Sequence, residues 1–526
     1  MRRGLFLAAL ACALLVVPVA AQAKKHSDAS KQYRKSVTLK NMLKHERALQ
    51  NIADANNGTR VAGSSGNDQT TDYIAGTMRR TKWTVHKQQF DFPFFQETAD
   101  PVFARTAPDP ATFAEGTDFA TMEFSGTGDV TAPVTPVGPL NVPIGNTEPG
   151  TTASGCDAAD FASFPAGNIA LVQRGTCDFG VKAENAQTAG ASAVVIFNEG
   201  QEGRTDALAG TLGHVLNIPV LGATYALGED TVNRINGGAT VQFHIATKTL
   251  NETRQTFNVI ADSPWGDPNR TVVVSAHNDS VDAGPGINDD GSGTSMDLEL
   301  AKNLGLNGKK PRNHVRFLWV GAEEEGLLGS QHYVDSLTDA QKSQIIAMLD
   351  FDMVASPNYD RQVYDGDGST FGSDVSGPDG SGFIESLFNS FFDSQGQAHE
   401  PIPFDGRSDY VAFTDAGIPA GGLFTGAEVI KTPAQQAIFG GVAGVAFDHC
   451  YHQACDTINN LNHQAFKEMK NAAADTLFTL ANTRGAIADS AKSRAAKAKH
   501  RRAHSARKSA APRLGRGDWL GEFLRR

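Results

Sequence analysis

The second half of the chain alternates short apolar runs with amphipathic stretches. The apolar runs are Thr271–Ser275, Val315–Trp319 and Ile345–Phe351, and they have the length of buried strands. Helical patterns lie between them, at about Gly293–Leu306 and Ser330–Leu337. Apolar strands that alternate with helices predict an α/β fold with a mixed, mainly parallel central sheet flanked by helices.

The first half of the chain has two parts with different patterns. Residues 36–95 combine a helical pattern with strand-like runs, whereas residues from about 113 to 245 carry short β-type runs separated by Gly and Pro, with few helix formers. This change predicts a separate, β-rich domain at 113–247, with the segments 24–112 and 248–489 on either side of it.

The N-terminus has the composition of an export signal. Arg2 and Arg3 precede an apolar run at Leu5–Ala20, and Ala21-Gln22-Ala23 supplies small residues two apart. These features predict a signal peptide at 1–23, cleaved after Ala23. The apolar run is too short for a stable membrane anchor, so we expect a secreted, extracellular protein.

Charge is unevenly distributed along the chain. The whole chain has a formal net charge of −11, but residues 490–526 contain 12 Lys and Arg against 2 acidic residues. This tail is rich in Ala, Lys and Arg, a composition typical of disorder. The rest of the chain is strongly acidic, which argues against nucleic acid as a partner. We expect a monomer.

Four cysteines remain after removal of the signal peptide. An even number in an exported chain predicts two disulfides, and proximity in sequence favours Cys156–Cys177 and Cys450–Cys455. Zinc binding by these cysteines is the alternative, but their spacing is not that of a zinc ribbon or finger.

Acidic residues and a histidine follow the three predicted strands. His277 and Asp279 end the first strand, Glu323 and Glu324 end the second, and Asp352 ends the third. Ligands of open α/β sheets bind beyond the carboxyl ends of the strands. Acids that meet there repel one another unless a cation lies between them. Histidine with carboxylates, and no thiolate, is typical of a hydrolytic zinc site.

Each of these pieces has an ordinary explanation when it is taken alone. A His-x-Asp sequence is frequent by chance, and an acidic run is usually a solvated helix start. Asp289-Asp290-Gly291 has the composition of a tight turn. Their occurrence together, in order and at strand ends, favours the metal site.

Five short motifs resemble those of the M28 family of zinc aminopeptidases, in particular its secreted streptomycete-type members. They run through the predicted catalytic domain and are Ala276–Ser280, Gly286–Gly293, Gly321–Glu324 with Gly326–Ser330, Phe351–Met353 and Tyr451-His452. The resemblance implies two Zn²⁺ per chain, held by His277, Asp289, Glu324, Asp352 and His452. His277 and Asp352 would bind one ion and Glu324 and His452 the other, with Asp289 bridging both.

The resemblance also implies roles for the residues around the metals. Asp279 would hydrogen-bond the outer nitrogen of His277, and the Asp289–Asp290 peptide bond would be cis. Glu323 would be the general base, and Tyr451 would donate to the oxyanion. The alternative for Tyr451 is a packed surface aromatic.

Two further positions match substrate contacts of the family. Arg407 would approach the carboxylate side of the substrate, and Phe424 would line the pocket for the N-terminal side chain. A structural salt bridge and a core position are equally good explanations for these two residues.

The β-rich stretch resembles a protease-associated (PA) domain. The resemblance rests on Gly155-Cys156, Ala159–Phe161, Gly167–Leu171, Arg174–Cys177 and Lys182 with Ala189–Ala191. In the family this domain is inserted into the peptidase domain, where it would shape substrate access or serve structure alone.

The resemblance implies an aminopeptidase that releases apolar N-terminal residues from peptides or proteins. A carboxypeptidase or dipeptidase of the same superfamily is one alternative, but it would need clustered basic residues to hold a free carboxylate, and Arg407 is the one obvious candidate. A non-catalytic, receptor-like binding protein is the other.

Overall fold

The computed structural model describes residues 28–145, 147–306 and 310–487. Two compact units divide these residues: one extends to Phe90 and resumes at Thr256, and the other is Asp91–Gln255. The predicted signal peptide and the basic tail lie outside the described residues. Among the described residues, no helix combines the length and the apolar character that a membrane crossing requires.

Helices occur in both units. In chain order they are α1 (28–36), α2 (Leu39–Asp54), α3 (Ser65–Arg79), α4 (Phe179–Thr188), α5 (Tyr225–Asn236), α6 (Gly291–Asn303), α7 (Leu328–Asp335), α8 (Asp339–Gln344), α9 (Ser381–Ser394), α10 (Tyr410–Asp415), α11 (Pro433–Phe439) and α12 (His463–Asn482). Short 3₁₀ helices cover Ala158–Phe161 and Ser373–Val375.

The strands are β1 (Thr84–Ala107), β2 (Ala111–Thr112), β3 (Phe119–Thr121), β4 (Gly128–Pro136), β5 (Ile169–Gln173), β6 (Ala193–Phe197), β7 (Val220–Ala223), β8 (Gln242–Asp262), β9 (Asp267–His277), β10 (Asn313–Val320), β11 (Ile345–Phe351), β12 (Gln362–Tyr364), β13 (Glu400–Ile402) and β14 (Ala420–Phe424). Strands β1 and β8 each contain residues of both units.

The first unit contains a mixed sheet whose centre is parallel. Neighbouring strands β14, β11, β9 and β10 run parallel, and the end of β8 pairs antiparallel with β10. On the other side, β12 pairs antiparallel with β14 and parallel with β13. The predicted α/β fold with a mainly parallel central sheet is therefore confirmed.

Both faces of this sheet are covered, which explains why its strands are continuous apolar runs rather than alternating ones. Val272 and Val274 of β9 belong to the core on one face, together with side chains of α2, α3, α6, α9 and α12. Val273, between them, belongs to the core on the other face, with side chains of α7 and α10.

Polar side chains determine where several of these helices begin. Thr38 accepts a hydrogen bond from the backbone N–H of Asn41 at the start of α2, and Ser64 accepts one from Asn67 at the start of α3. Each supplies one of the acceptors that the first turn of a helix lacks.

The second unit is built around parallel strands β4, β5, β6 and β7, with β8 antiparallel to β4 and β3 antiparallel to β7. Alternate residues of β5 and β6 face a core that includes α5 on one side and a core that includes α4 on the other. The prediction of a β-rich stretch with few helix formers missed these two helices.

Two disulfides join the four cysteines that we predicted to pair. Cys156 is bonded to Cys177 and Cys450 to Cys455. The second bridge closes a short loop that contains Tyr451 and His452.

Candidate active site

The carboxyl ends of three neighbouring parallel strands meet at one edge of the sheet in the first unit. Strand β9 ends at His277, β10 ends at Val320, three residues before Glu323, and β11 ends at Phe351, next to Asp352. Because the strand order is β11-β9-β10, parallel pairing places these side chains side by side.

Two histidines face the two oxygens of one carboxylate. His277 Nε2 lies 3.0 Å from Asp289 Oδ1, and His452 Nε2 lies 3.3 Å from Asp289 Oδ2. His277 Nε2 is also 3.7 Å from Asp352 Oδ1, and His452 Nε2 is 3.0 Å from Glu324 Oε2. The structure thus brings together all five predicted metal ligands, with Asp289 in the middle.

The carboxylates of this cluster favour positive charge on its two histidines. Burial by itself would lower the pKa of both imidazoles, but the carboxylates outweigh it, Glu323 above all for His277 and Glu324 for His452. The pKa of His277 is raised well above its usual value, and that of His452 is raised to about 10. Burial opposes ionisation of Asp289 too, yet the two histidines hold the pKa of Asp289 below its ordinary value.

The donor set suits a divalent metal. Within the described residues, Glu324 Oε1 and Asp352 Oδ1 are buried without a hydrogen-bond partner, and such oxygens are rarely left unpaired without cause. Donor atoms of Asp289, Glu324 and His452 all lie within 4.8 Å of one another, as do those of His277, Asp290 and Asp352. Imidazole nitrogens with carboxylate oxygens are ligands that zinc takes in catalytic sites.

The Asp290 carboxylate is hydrogen-bonded to the backbone around the site. Its carboxylate accepts hydrogen bonds from the backbone N–H groups of His277, Gly293 and Met353. The Asp290 carboxylate therefore connects the ends of β9 and β11 to the start of α6. The Asp289–Asp290 peptide bond is cis, as the resemblance implied.

Three further residues position the cluster, and none of them was among the predicted site residues. Asp456 accepts from the backbone N–H groups of Asn288 and Asp289 at 2.9 and 3.0 Å. Ser408 donates to Asp352 Oδ2 at 2.8 Å. Arg60 is fully buried and its guanidinium donates to three backbone carbonyls of the His277–Asp289 loop.

Two of these three had a weak sequence signal. Ser408 lies next to Arg407, and Asp456 follows Cys455, so both adjoin residues that the motifs had already singled out. Arg60 had none, because its guanidinium makes its hydrogen bonds to backbone carbonyls, which every residue carries.

Asp279 lies where the resemblance implied but is not within hydrogen-bond distance of the imidazole. Its Oδ1 is 3.7 Å from His277 Nδ1. Its two oxygens accept instead from the backbone N–H groups of Glu323 and Glu324, each at 3.3 Å. Asp279 therefore also fixes the loop that carries these two acids.

Three of the seven described non-glycine residues with positive φ lie at or beside the site. Ala322, Met353 and His452 have φ values of 55°, 49° and 55°, in the left-handed region that few non-glycine residues occupy. Each is either a candidate ligand or adjoins a site residue, and strained residues of this kind cluster at functional sites.

A cavity of about 440 Å³ opens onto the cluster. Glu323, which is 7 % exposed, lies on its wall with Oε2 4.0 Å from His277 Nε2. Burial raises the pKa of Glu323 well above its usual value. Phe424 is half-buried and also lines the cavity.

Arg407 and Tyr451 form a connected pair on the cavity wall. Arg407 makes two hydrogen bonds to the Glu428 carboxylate, at 2.8 and 3.2 Å, and its Nη2 donates to Tyr451 Oη at 3.2 Å. The salt bridge that was the alternative explanation for Arg407 is therefore present, although Arg407 also lines the cavity as a substrate contact would. A paired Arg407 is poorly suited to be the one group that holds a free substrate carboxylate.

Comparison with known proteins agrees with this geometry. The model of peptidase family M28 matches residues 258–477, and that of the PA domain matches 130–231. An aminopeptidase of Pseudomonas aeruginosa is 44% identical over 437 residues, which cover 82% of this chain and 79% of that protein. Leucine aminopeptidase 2 of Trichophyton equinum is 40% identical over 432 residues, covering 82% and 81%. This chain belongs to peptidase family M28.

Solved structures give the same result for this M28 peptidase. An aminopeptidase from Aneurinibacillus sp. strain AM-1 matches with a TM-score of 0.67 and 25% identity, covering 88% of this chain and 98% of that one. A zinc aminopeptidase from Bacillus subtilis matches in fold, with a TM-score of 0.55 and 23% identity over 85% and 96%. The M28 peptidase is thus an aminopeptidase, a hydrolase, as the motifs predicted.

Proposed function

We propose that this M28 peptidase is a secreted, zinc-dependent aminopeptidase that removes apolar N-terminal residues from peptides and proteins. The observation that carries the proposal is the Asp289 carboxylate shared by two histidines, beside the buried Glu323 and at the base of a cavity. Secretion is supported by the predicted signal peptide and by two disulfides, which persist in oxidising compartments. One chain carries every candidate group, so a monomer is sufficient.

Two zinc ions would be held by the five clustered ligands. His277 and Asp352 would bind one ion, Glu324 and His452 the other, and Asp289 both. When bound, zinc would lower the pKa of water and polarise the carbonyl of the scissile bond.

Glu323 is the group that transfers the proton. Its buried carboxylate takes a proton from the attacking water and returns it to the amine of the leaving peptide. Its position on the cavity wall, with Oε2 4.0 Å from His277 Nε2, supports this role.

Tyr451 stabilises the oxygen of the tetrahedral intermediate. Arg407 carries donors but no acceptor, so the Tyr451 oxygen accepts from it, and the tyrosine's own hydrogen is left to point elsewhere. That hydrogen is then available to the developing oxyanion. Glu428 holds Arg407 in place, so these two residues position Tyr451 rather than bind substrate.

The preference for apolar N-terminal residues follows from the cavity wall. Beyond the acidic cluster the wall carries polar side chains such as Gln362, Glu400 and Asp405, but also large apolar side chains, among them Phe371, Ile402, Phe424, Val429 and Phe447. Burial of an apolar side chain against them is favourable by about 25 cal/mol per Å².

The test of the proposal is hydrolysis of Leu-p-nitroanilide by the purified mature protein. We expect hydrolysis that a zinc chelator abolishes and added zinc restores, with no hydrolysis of N-acetyl-Leu-p-nitroanilide. Release of C-terminal residues from peptides, without cleavage of Leu-p-nitroanilide, would show a carboxypeptidase. Inactivity of the zinc-loaded protein on every peptide tested would instead indicate a binding protein.

Replacement of Tyr451 by Phe should lower kcat by about a hundredfold with little change in KM, the size expected for one lost oxyanion donor. Steady-state kinetics with Leu-p-nitroanilide measures both constants. Tyr359→Phe is the matched control, because its hydroxyl donates to Glu468, away from the cavity lining. Unchanged kcat in Tyr451→Phe would assign the residue to packing.

A further inference from the structure

One stretch of the first unit exposes an unusual amount of apolar surface. We call residues 429–447 the rim loop. Lys431 is its one Lys, Arg, Asp or Glu residue, and Lys431 is buried. Five large apolar side chains of the rim loop are 40 to 60 % exposed, namely Val429, Ile430, Ile438, Val442 and Val445. A concentration of exposed apolar side chains marks a binding surface more often than chance.

Buried polar contacts fix the position of the rim loop. The Lys431 ammonium pairs with Asp360 at 2.8 Å, and both side chains are fully buried. Lys431 also donates to the carbonyls of Tyr359 and Gly440. A charge buried in this way is satisfied by several partners, so the loop's one charged side chain is used to anchor it.

Asn358 supplies a second anchor, and the backbone a third. The Asn358 amide accepts from the N–H of Val442 at 2.8 Å and donates to the carbonyl of Val442 at 2.9 Å. The N–H of Lys431 donates to Val445 and that of Phe447 donates to Val429, each at 3.0 Å. The apolar side chains are therefore presented by a fixed backbone, which reduces the entropy lost when a ligand binds them.

The rim loop is continuous with the catalytic cavity. Val429, Gln435 and Phe447 line that cavity, while Val429 is also 57 % exposed. Val429 therefore stands at the mouth, where the cavity wall becomes the outer surface. Phe371 stands there too, since it lines the cavity and is 47 % exposed.

We propose that the rim loop binds apolar residues of the substrate that follow the scissile bond. This inference rests on the proposed aminopeptidase function. A substrate whose N-terminal residue lies in the cavity has its remaining chain at the mouth, beside Val429. The rim loop offers that chain apolar contacts and no exposed charge. Apolar substrate residues two or three positions beyond the cleaved bond should therefore gain the most binding free energy. A second copy of the chain bound to the rim loop would cover the mouth of the cavity and block the entry of substrate. We therefore favour the substrate as the occupant of the rim loop.

The test uses two peptides that share the cleaved bond and differ beyond it. Leu-Ala-Leu-Val-Gly and Leu-Ala-Asn-Ser-Gly are both uncharged along their side chains, and Leu-p-nitroanilide has no residues beyond the bond. For the unmodified enzyme we expect kcat/KM to be about tenfold higher for the apolar peptide, the scale set by burial of one or two apolar side chains.

The double variant Ile438→Gln with Val442→Thr should reduce this preference to about twofold, through a higher KM for the apolar peptide. Neither side chain lines the cavity, so hydrolysis of Leu-p-nitroanilide should stay within twofold. Leu306→Gln is the matched control, because Leu306 is 66 % exposed and lies outside the rim loop; it should leave the preference intact. Thermal melting of all variants checks folding.

Three results would overturn the proposal. One is an unmodified enzyme that cleaves Leu-p-nitroanilide but treats the peptides alike, which leaves the aminopeptidase function standing. Another is a double variant with undiminished preference; if sedimentation then shows that the unmodified chain dimerises and the variant does not, the occupant is a second copy. The third, no cleavage of Leu-p-nitroanilide at all, would remove the aminopeptidase function as well.

Discussion

Glu323→Gln should lower kcat for Leu-p-nitroanilide by about a thousandfold while the protein stays folded and keeps its zinc. Glutamine preserves the shape of the side chain but cannot accept and return a proton, and general acid–base groups contribute about 10²- to 10⁴-fold. Glu323 is 7 % exposed and lines the cavity. KM should change little, because the residue acts on the water and the leaving group rather than on substrate binding.

The control for this variant is its neighbour. Glu323, Glu324 and Glu325 are consecutive acids, but Glu325 is absent from the described lining of the cavity. Glu325→Gln should therefore retain activity within twofold. Steady-state kinetics measures the activity of both variants, and mass spectrometry measures their zinc content. Together these measurements distinguish loss of the general base from loss of zinc. Equal losses in both variants, or a tenth of the activity left in Glu323→Gln, would contradict the role of general base.

Part of the candidate site could be predicted because several of its main residues end or directly follow an apolar strand, whereas Asp289 and His452 lie in loops and were indicated only by the family motifs. A buried parallel strand is an apolar run, so the acids or histidine after it stand out: His277 after β9, Glu323 and Glu324 after β10, and Asp352 after β11. Parallel neighbours then bring these ends together without any knowledge of the packing.

The supports of the site could not be predicted in the same way. Arg60 contacts the loop of His277 and Asp289 from more than 200 residues away, and Asp456 from more than 160. Both bind backbone groups, which every residue has, so no complementary side chain in the sequence indicates the partner. Such contacts depend on the tertiary arrangement alone.

Helix α4 of the second unit was missed for a different reason. In α4 the buried positions include Phe179, Ala183 and Ala186, which have helical spacing. Two of these three are alanines, whose small side chains give a weak apolar signal in a sequence rich in Gly and Pro. Helix α4 is stabilised by packing against β6, a tertiary contact that the local sequence pattern does not show.

Asp289→Asn should lower the amount of zinc that the enzyme binds. In the structure each Asp289 oxygen faces a different imidazole, at 3.0 and 3.3 Å. Asparagine replaces one oxygen with an amide nitrogen, which donates hydrogen bonds and does not bind a cation. Loss of an outer-shell partner typically lowers metal affinity by about 10- to 100-fold, and loss of a shared ligand should exceed that range.

We expect zinc content after dialysis to fall from two ions to one or fewer, and hydrolysis of Leu-p-nitroanilide to fall with it. Asp282→Asn is the control, since Asp282 lies on the same loop and is exposed; it should keep both ions. The Asp289 backbone is held independently by Asp456, so circular dichroism should show a folded variant. A folded Asp289→Asn protein that retains two tightly bound zinc ions would mean that this carboxylate does not bridge them.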